Sequence, residues 1–514
     1  MIKRILFCLS FLSATVFAGK PPIIYWDLEE RPEEPPFPVL SLRVKALGEE
    51  FLGIVADLRS DILLNPSLIP LLEENEVAIT FLPNMPGLYY RQNLIASSVF
   101  LPKLFIRQLG FGAHNQFTSF SYGYQSFYYD YYLRDEDFSS FQQSLFLPWS
   151  LSPLLKLALS YTFTRSPLEI EGGYESENYE IENKDTVNIR RYTYGSQLAD
   201  ILSSHQFGLG TTFNFSTHLL QLTFSYKKGK NEIDYHQNSE DYLLHTDSSF
   251  YTYDSSYHYL FWRRVDYLTT GGEVDDSKEG NEIKFTGRFS KAVEGEKRFN
   301  ALLNLAKSSA NLKGRERDSS YNFHKDSVYE RWQNYPNPES TDIDTRTLTE
   351  YFTKNLNISG RTEKITGVFG LGYEYPINKS LKGFWGLKTV WAMEKDSVQK
   401  EGLEIFTDSL TDSNLVSNYQ VNNINTLTMA IPLGLEYKIS SLILRGGITP
   451  KFTYQKSIFK DERKTYPDLA SYVLDIAYSW GITWRVLERL SFDAYNSGNL
   501  FTLKDWLIQF SYWF

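Results

Sequence analysis

The chain has 514 residues, a formal net charge of −10 and an aromatic content of 16%, including 36 Tyr and 36 Phe. The acidic balance argues against nucleic acid as a partner, because binding it needs a phosphate-neutralising surface. After residue 20 no apolar run reaches 18 residues, which excludes a transmembrane helix but not spanning strands, where only alternate residues face lipid.

Residues 1–18 combine Lys3 and Arg4, an apolar run from Ile5 to Ala14 and the small-residue site Val16-Phe17-Ala18. They read as a secretory signal peptide. The only cysteine, Cys8, falls inside it, so the mature chain is expected to carry no disulfide. Residues 19–40 are rich in Pro and Glu and read as an extended periplasmic linker.

Residues 41–75 follow with Ala46-Leu47-Gly48, Ala56-Asp57 and Asp61-Ile62-Leu63-Leu64-Asn65-Pro66. This stretch resembles the N-terminal segment of the long-chain fatty-acid transporter family of the bacterial outer membrane and its porin-like relatives. Ser67 stands where that family has Ala, and Glu49-Glu50 replace a small-residue stretch. The resemblance implies a plug inside a barrel, with Gly48, Asp61, Asn65 and Pro66 at its characteristic positions. Gly permits close packing, and Asn before Pro favours a turn.

From residue 76 to 514 alternating segments recur. Leu427, Met429, Ile431, Leu433, Leu435 and Tyr437 share one face; Thr426, Thr428, Ala430, Gly434 and Glu436 share the other. Segments of about ten residues with aromatic residues near their ends fit tilted strands crossing a bilayer better than a soluble sandwich. Short turns at 150–153, 216–218, 292–297, 376–380, 440–441 and 485–488 alternate with long connections at 166–203, 229–280, 310–362, 395–423 and 457–470. Short turns belong on the periplasmic side and long loops outside. Counting gives 14 strands, the number in the fatty-acid transporter family, if residues 76–101 are irregular, and 16 if they pair.

The chain closes on LKDWLIQFSYWF. Trp506, Ile508, Phe510, Tyr512 and Phe514 fall on one face of a strand. An alternating strand with a terminal aromatic residue resembles the closing strand of outer-membrane β-barrels. In those barrels Phe510, Tyr512 and Phe514 would form the signal read by the barrel-assembly machinery.

The expectation is therefore an all-β, transmembrane antiparallel β-barrel of 14–16 strands in a Gram-negative-type outer membrane, in contact with lipid and lipopolysaccharide. Inward positions include Lys156, Glu282, Lys284, Arg288, Glu374, Lys382, Lys388, Glu436, Arg445, Lys451, Asp475, Arg489, Asp493 and Asp505. Lys284, Arg288, Lys388, Arg445 and Lys451, with Asp475, form a candidate selectivity set that could favour anions; the alternative is that they pair with nearby carboxylates. Passive passage of a small or hydrophobic solute is the expected function. The rival is a non-transporting receptor, adhesin or secretion-complex barrel working through its Tyr-rich loops, densest at 250–262.

His114-Asn115 with Ser119 only faintly echoes a phospholipase triad. Asp234, His236, Asp241, His245, Asp254 and His258 share one predicted loop without the spacing of a known metal site. Phosphate loops, nucleophile elbows and zinc motifs are absent. Neither an enzyme, a metal nor a cofactor is expected.

Overall fold

The computed structural model describes residues 42–81, 90–102, 108–126, 130–183, 186–215, 217–253, 256–293, 296–334, 340–407, 411–461, 464–465, 469–496 and 506–514. The expected signal peptide and linker, and Asp505, lie outside these residues.

Eighteen strands form one antiparallel sheet. They begin with β1 (Glu76–Phe81), β2 (Tyr90–Leu101), β3 (Phe111–Ser126) and β4 (Asp130–Ser150). The long strands follow: β5 (Leu155–Asn183), β6 (Thr186–Asn214), β7 (His218–Tyr253), β8 (Ser256–Val293), β9 (Lys297–Asn334), β10 (Ser340–Pro376) and β11 (Leu381–Thr407). The last group is β12 (Thr411–Ala430), β13 (Leu433–Ile439), β14 (Leu442–Asp461), β15 (Lys464–Thr465), β16 (Leu469–Leu487), β17 (Leu490–Asn496) and β18 (Trp506–Trp513).

Strand β1 pairs with both β2 and β18, so the sheet closes and leaves no edge. Strands β12 and β13 both lie between β11 and β14 and form one stave, broken where Pro432 has no amide hydrogen to give. Strands β15 and β16 likewise share a stave beside β14. The ring therefore has sixteen staves among the described residues, not the fourteen of the fatty-acid transporter family. Residues 76–81 and 90–101 pair into the wall, which settles the count among the described residues.

The alternation sets which face meets lipid. Leu159, Leu209, Phe224, Phe285 and Leu305 lie opposite one another on consecutive staves and form one exposed row. The row continues through Gly367, covered by the Trp391 ring, to Leu427, Tyr454 and Tyr472. All six residues from Leu427 to Tyr437 on the outward face are exposed, from 38% to 51%. An apolar belt on the outside of a closed sheet is the inverse of a soluble sandwich, and lipid is the solvent that suits it.

The short turns fall where the alternation places them. The expected long loops do not. Strands β8 and β9 are each 38 residues long, against the roughly ten that cross a bilayer. At about 3.3 Å per residue they run on the order of 125 Å. The hairpin ladder continues to Tyr253 opposite Ser256, through the stretch expected as loop. Beyond the bilayer both faces meet water, so the apolar alternation that marks the spanning part fades while the ladder persists.

Candidate functional site

Residues 42–72 lie inside the ring. They form α1 (Leu42–Leu47), the 3₁₀ turn η1 (Glu49–Phe51), α2 (Leu58–Leu64) and the 3₁₀ turn η2 (Pro66–Leu71). Helices of six and seven residues are not stable alone, so packing and caps must hold them. The Asp57 side chain caps α2 by accepting from the Ser60 amide at 3.1 Å. The Asn65 side chain accepts from the Ser67 amide at 3.2 Å, ahead of η2. Gly48, at φ 126°, ends α1 in a conformation that other residues rarely adopt.

The segment touches all sixteen staves. Helix α1 packs on β13, β14, β16 and β17, and η2 on β2 through β6. The Leu64 carbonyl accepts from Thr223 on β7 at 3.0 Å. Arg288 on β8 pairs with Asp61 and donates to the Val55 carbonyl at 3.0 Å. Gly53 packs against Leu302 on β9. The Ala56 amide donates to Glu374 on β10 at 2.7 Å. Lys388 on β11 pairs with Glu50 at 2.9 Å. Arg59 pairs with Glu76 on β1 at 2.6 Å, and its guanidinium lies 4.9 Å from the Trp513 ring centre on β18. Only an object within the ring can meet every stave.

Three apolar clusters seat it, one of them formed by Leu42 and Ala46 of α1 with Ala96, Tyr495 and Leu507. Leu47, Phe51, Ile54 and Val55 pack against Leu302 and Phe384, while Ile62, Leu68 and Ile69 pack against Phe100 and Phe146. Close backbone approach needs bare wall. A Cβ on Gly372 would stand 1.8 Å from the Ile54 carbonyl oxygen, and one on Gly447 the same distance from that of Leu47. Those strand glycines are the seat's contact points.

The expected selectivity residues are nearly all taken. Glu50 bridges Lys388 and Lys451, the latter at 2.7 Å. Arg445 pairs with Glu436 at 2.7 Å, and Arg43 of α1 pairs with the same carboxylate at 3.0 Å. Arg288 holds Asp61. Lys284 lies on the inward face, opposite Ser225 and Ala306, apart from the others. Asp475 is exposed on the inward face, in register with Lys451. The structure thus separates most of that set into distinct clamps, each built around a carboxylate, which is the pairing alternative; for Arg445 the carboxylate is Glu436, directly across the hairpin.

Burial pushes the Asp61 carboxyl up to about 6, although the Arg288 charge opposes that rise. For Glu50, burial also pushes upward, but Lys388 and Lys451 outweigh it and hold the carboxyl below its ordinary value. Arg43 is raised: burial disfavours its charge, and Glu436, Asp57 and Glu374 more than offset that.

Asn65 and Pro66 open η2. Asn65 donates to the Thr211 carbonyl at 2.9 Å, and the Ser67 hydroxyl lies 2.6 Å from that of Thr212. In the closing strand Phe510, Tyr512 and Phe514 point outward and are exposed, while Leu507, Gln509 and Ser511 are buried. The Phe514 amide donates to the Asn75 carbonyl at 3.1 Å, tying the chain's end to the start of β1.

The other constellations do not assemble. His114 and Asn115 are strand neighbours on opposite faces, and the Ser119 side chain lies outside the described residues. His236 pairs with Asp234 at 3.0 Å on the outer face, whereas His245 meets Trp262 edge-on within. The side chains of Asp254 and His258 lie outside the described residues. Among the described residues no group of three or more His, Cys, Asp or Glu could hold a metal ion.

The closed ring, the apolar belt and the polar inner face define the class: an all-β, integral outer-membrane β-barrel. No family model and no curated protein matches the chain. Among solved structures, the siderophore receptor PirA from Acinetobacter baumannii is 8% identical over 86% of this chain and 80% of its own, with a TM-score of 0.29. The ferric enterobactin receptor PfeA from Pseudomonas aeruginosa is 10% identical over 86% and 81%, with a TM-score of 0.30. The copper transporter OprC is 9% identical over 86% and 80%, with a TM-score of 0.28. None of these three is a fatty-acid transporter, and at such scores the likeness says nothing of cargo.

Proposed function

We propose that the chain is an outer-membrane transporter whose pore is closed by its own residues 42–72 and opens when that segment leaves its seat. One observation carries this reading: the segment meets all sixteen staves. The seat combines apolar burial with ion-pair clamps, and the clamps suit a part that must dock and release. Phe510, Tyr512 and Phe514 serve assembly in this reading, and lipid and lipopolysaccharide surround the belt. The solute is a small one; the resemblance of Ala46–Pro66 to the fatty-acid family adds hydrophobic cargo as a candidate.

Liposome swelling with purified protein tests the proposal. Full-length protein should admit small sugars slowly, and a variant lacking 42–72 should admit them fast. A folded deletion variant that admits none would refute the pore.

The rival reading, a surface receptor or adhesin, draws support from the strand extensions, which project most of β7–β10 beyond any bilayer. On their outer face lies a polar concavity of about 590 Å³, bordered by Glu171, Gln197, His236, Asn238, Glu273 and Arg317. Shortening these hairpins at matched register should abolish surface binding and leave flux intact if the two activities are separate.

A further inference from the structure

Resting on the reading of a releasable segment, we propose that Lys388 and Lys451 form an anion site in the lumen, with Glu50 as its built-in occupant. A carboxylate- or phosphate-bearing solute would displace Glu50 and so loosen the segment.

The geometry distinguishes this clamp from the others. Glu50 reaches Lys388 at 2.9 Å and Lys451 at 2.7 Å, one carboxylate oxygen to each. Two ammonium groups on separate staves, β11 and β14, thus converge on one anion. They belong to the rigid wall, whereas the anion belongs to the inserted segment. When the segment withdraws, the wall keeps both cations and loses the carboxylate that bridges them, with Asp475, in register with Lys451, as the wall's own acid beside the site. Glu436, by contrast, keeps its wall partner Arg445 when Arg43 departs.

Access differs as well. Arg288 and Asp61 are 3% and 6% exposed, sealed under the segment. Lys451 is 36% exposed, and Glu50 20%. A solute in the lumen can therefore meet Lys451 before the segment moves. Lys388 and Lys451 lie further from the short turns than Gly386 and Arg445 on the same strands, on the side from which an external solute arrives. Exchanging one carboxylate for another conserves the charge pairing, so the segment loses its anchor without any buried cation being stranded. A ligand that binds only the released state shifts the population toward it.

The test uses the full-length chain and Glu50→Gln in planar bilayers under a potassium chloride gradient, with calorimetric titration of acetate and inorganic phosphate into detergent-solubilised protein. In the currents that Glu50→Gln passes, the reversal potential should lie toward that of chloride, and this variant should bind acetate or phosphate at least tenfold more tightly than the parent. Adding Lys388→Gln and Lys451→Gln should abolish both effects. Equal anion affinity in Glu50→Gln and in the triple variant would overturn the anion site and leave only a structural clamp. Anion binding that depends on both lysines, in a protein that conducts nothing even without 42–72, would sustain the site and sink the transporter reading. An acetate response without a phosphate response would narrow the class to carboxylates.

Discussion

A single methyl group separates the two faces of this wall. Gly446 and Gly447 are consecutive residues of β14 on opposite faces. A Cβ on Gly447 would stand 1.8 Å from the Leu47 carbonyl oxygen. A Cβ on Gly446 would come no closer than 3.3 Å to the Trp480 ring, which is free to shift on the lipid side. Gly447→Ala therefore forces α1 away from β14, and Gly446→Ala does not. Overpacking a fitted interior by one methyl costs about 1–3 kcal/mol. Here the obstacle is backbone, so the upper end applies, and the ratio of released to seated segment should rise on the order of a hundredfold.

The gross counterweight is the burial of Leu47, Phe51, Ile54 and Val55, at about 1.5–3 kcal/mol each and less after the unfolded reference is allowed for. Released segments should therefore become a visible minority, not the whole population. Single-channel open fraction and trypsin cleavage within 42–72 report the release. Equal effects of the two alanines, or no effect of Gly447→Ala on either readout, would refute the seat.

Four further outcomes follow. The raised Asp61 carboxyl makes the seated state the better proton binder, so that contribution is complete below about 3.8 and is lost as pH rises through about 6. Open fraction should thus fall on acidification from pH 7.5 to 5, and Asp61→Asn should remove the dependence; a rise on acidification contradicts the assignment. The Glu50 clamp has the opposite sign and weakens only as pH falls below the ordinary carboxylate range, outside that window. Phe224→Lys puts a charge in the lipid-facing row and should cost up to about 4 kcal/mol in a refolding titration into lipid. Deleting Phe514 should lower the outer-membrane yield while leaving refolding in detergent unaffected, as seen by heat-modifiable mobility.

Much of this fold is visible in residue order because lipid imposes a simple rule. Alternation from Leu427 to Tyr437 and the short turn at 440–441 specify the hairpin without knowledge of its neighbours. The same rule fails above the bilayer. Tyr, Thr, Asn and charged residues on both faces of β7–β10 give no period to detect, yet the ladder continues through backbone hydrogen bonds alone. The lumen was legible only in part. Arg288, Lys388, Arg445 and Lys451 could be placed on the inner face by parity, but Asp61 lies more than two hundred residues from Arg288 and Glu50 more than three hundred from both lysines; of the four, Arg445 alone has a partner, Glu436, across its own hairpin. Glu49-Glu50 departs from the resembled family's small residues, and the clamp sits at that departure. The contact of every stave with 42–72 is a property of the closed ring, which no local pattern expresses.

Conductance in planar bilayers tests the central claim most directly, with full-length protein and a variant lacking residues 42–72 compared after circular dichroism has shown both to be strand-rich. The account predicts a nearly silent parent and a steadily conducting deletion variant. Equal conductance in the two would show that the segment does not close the lumen, and would contradict it.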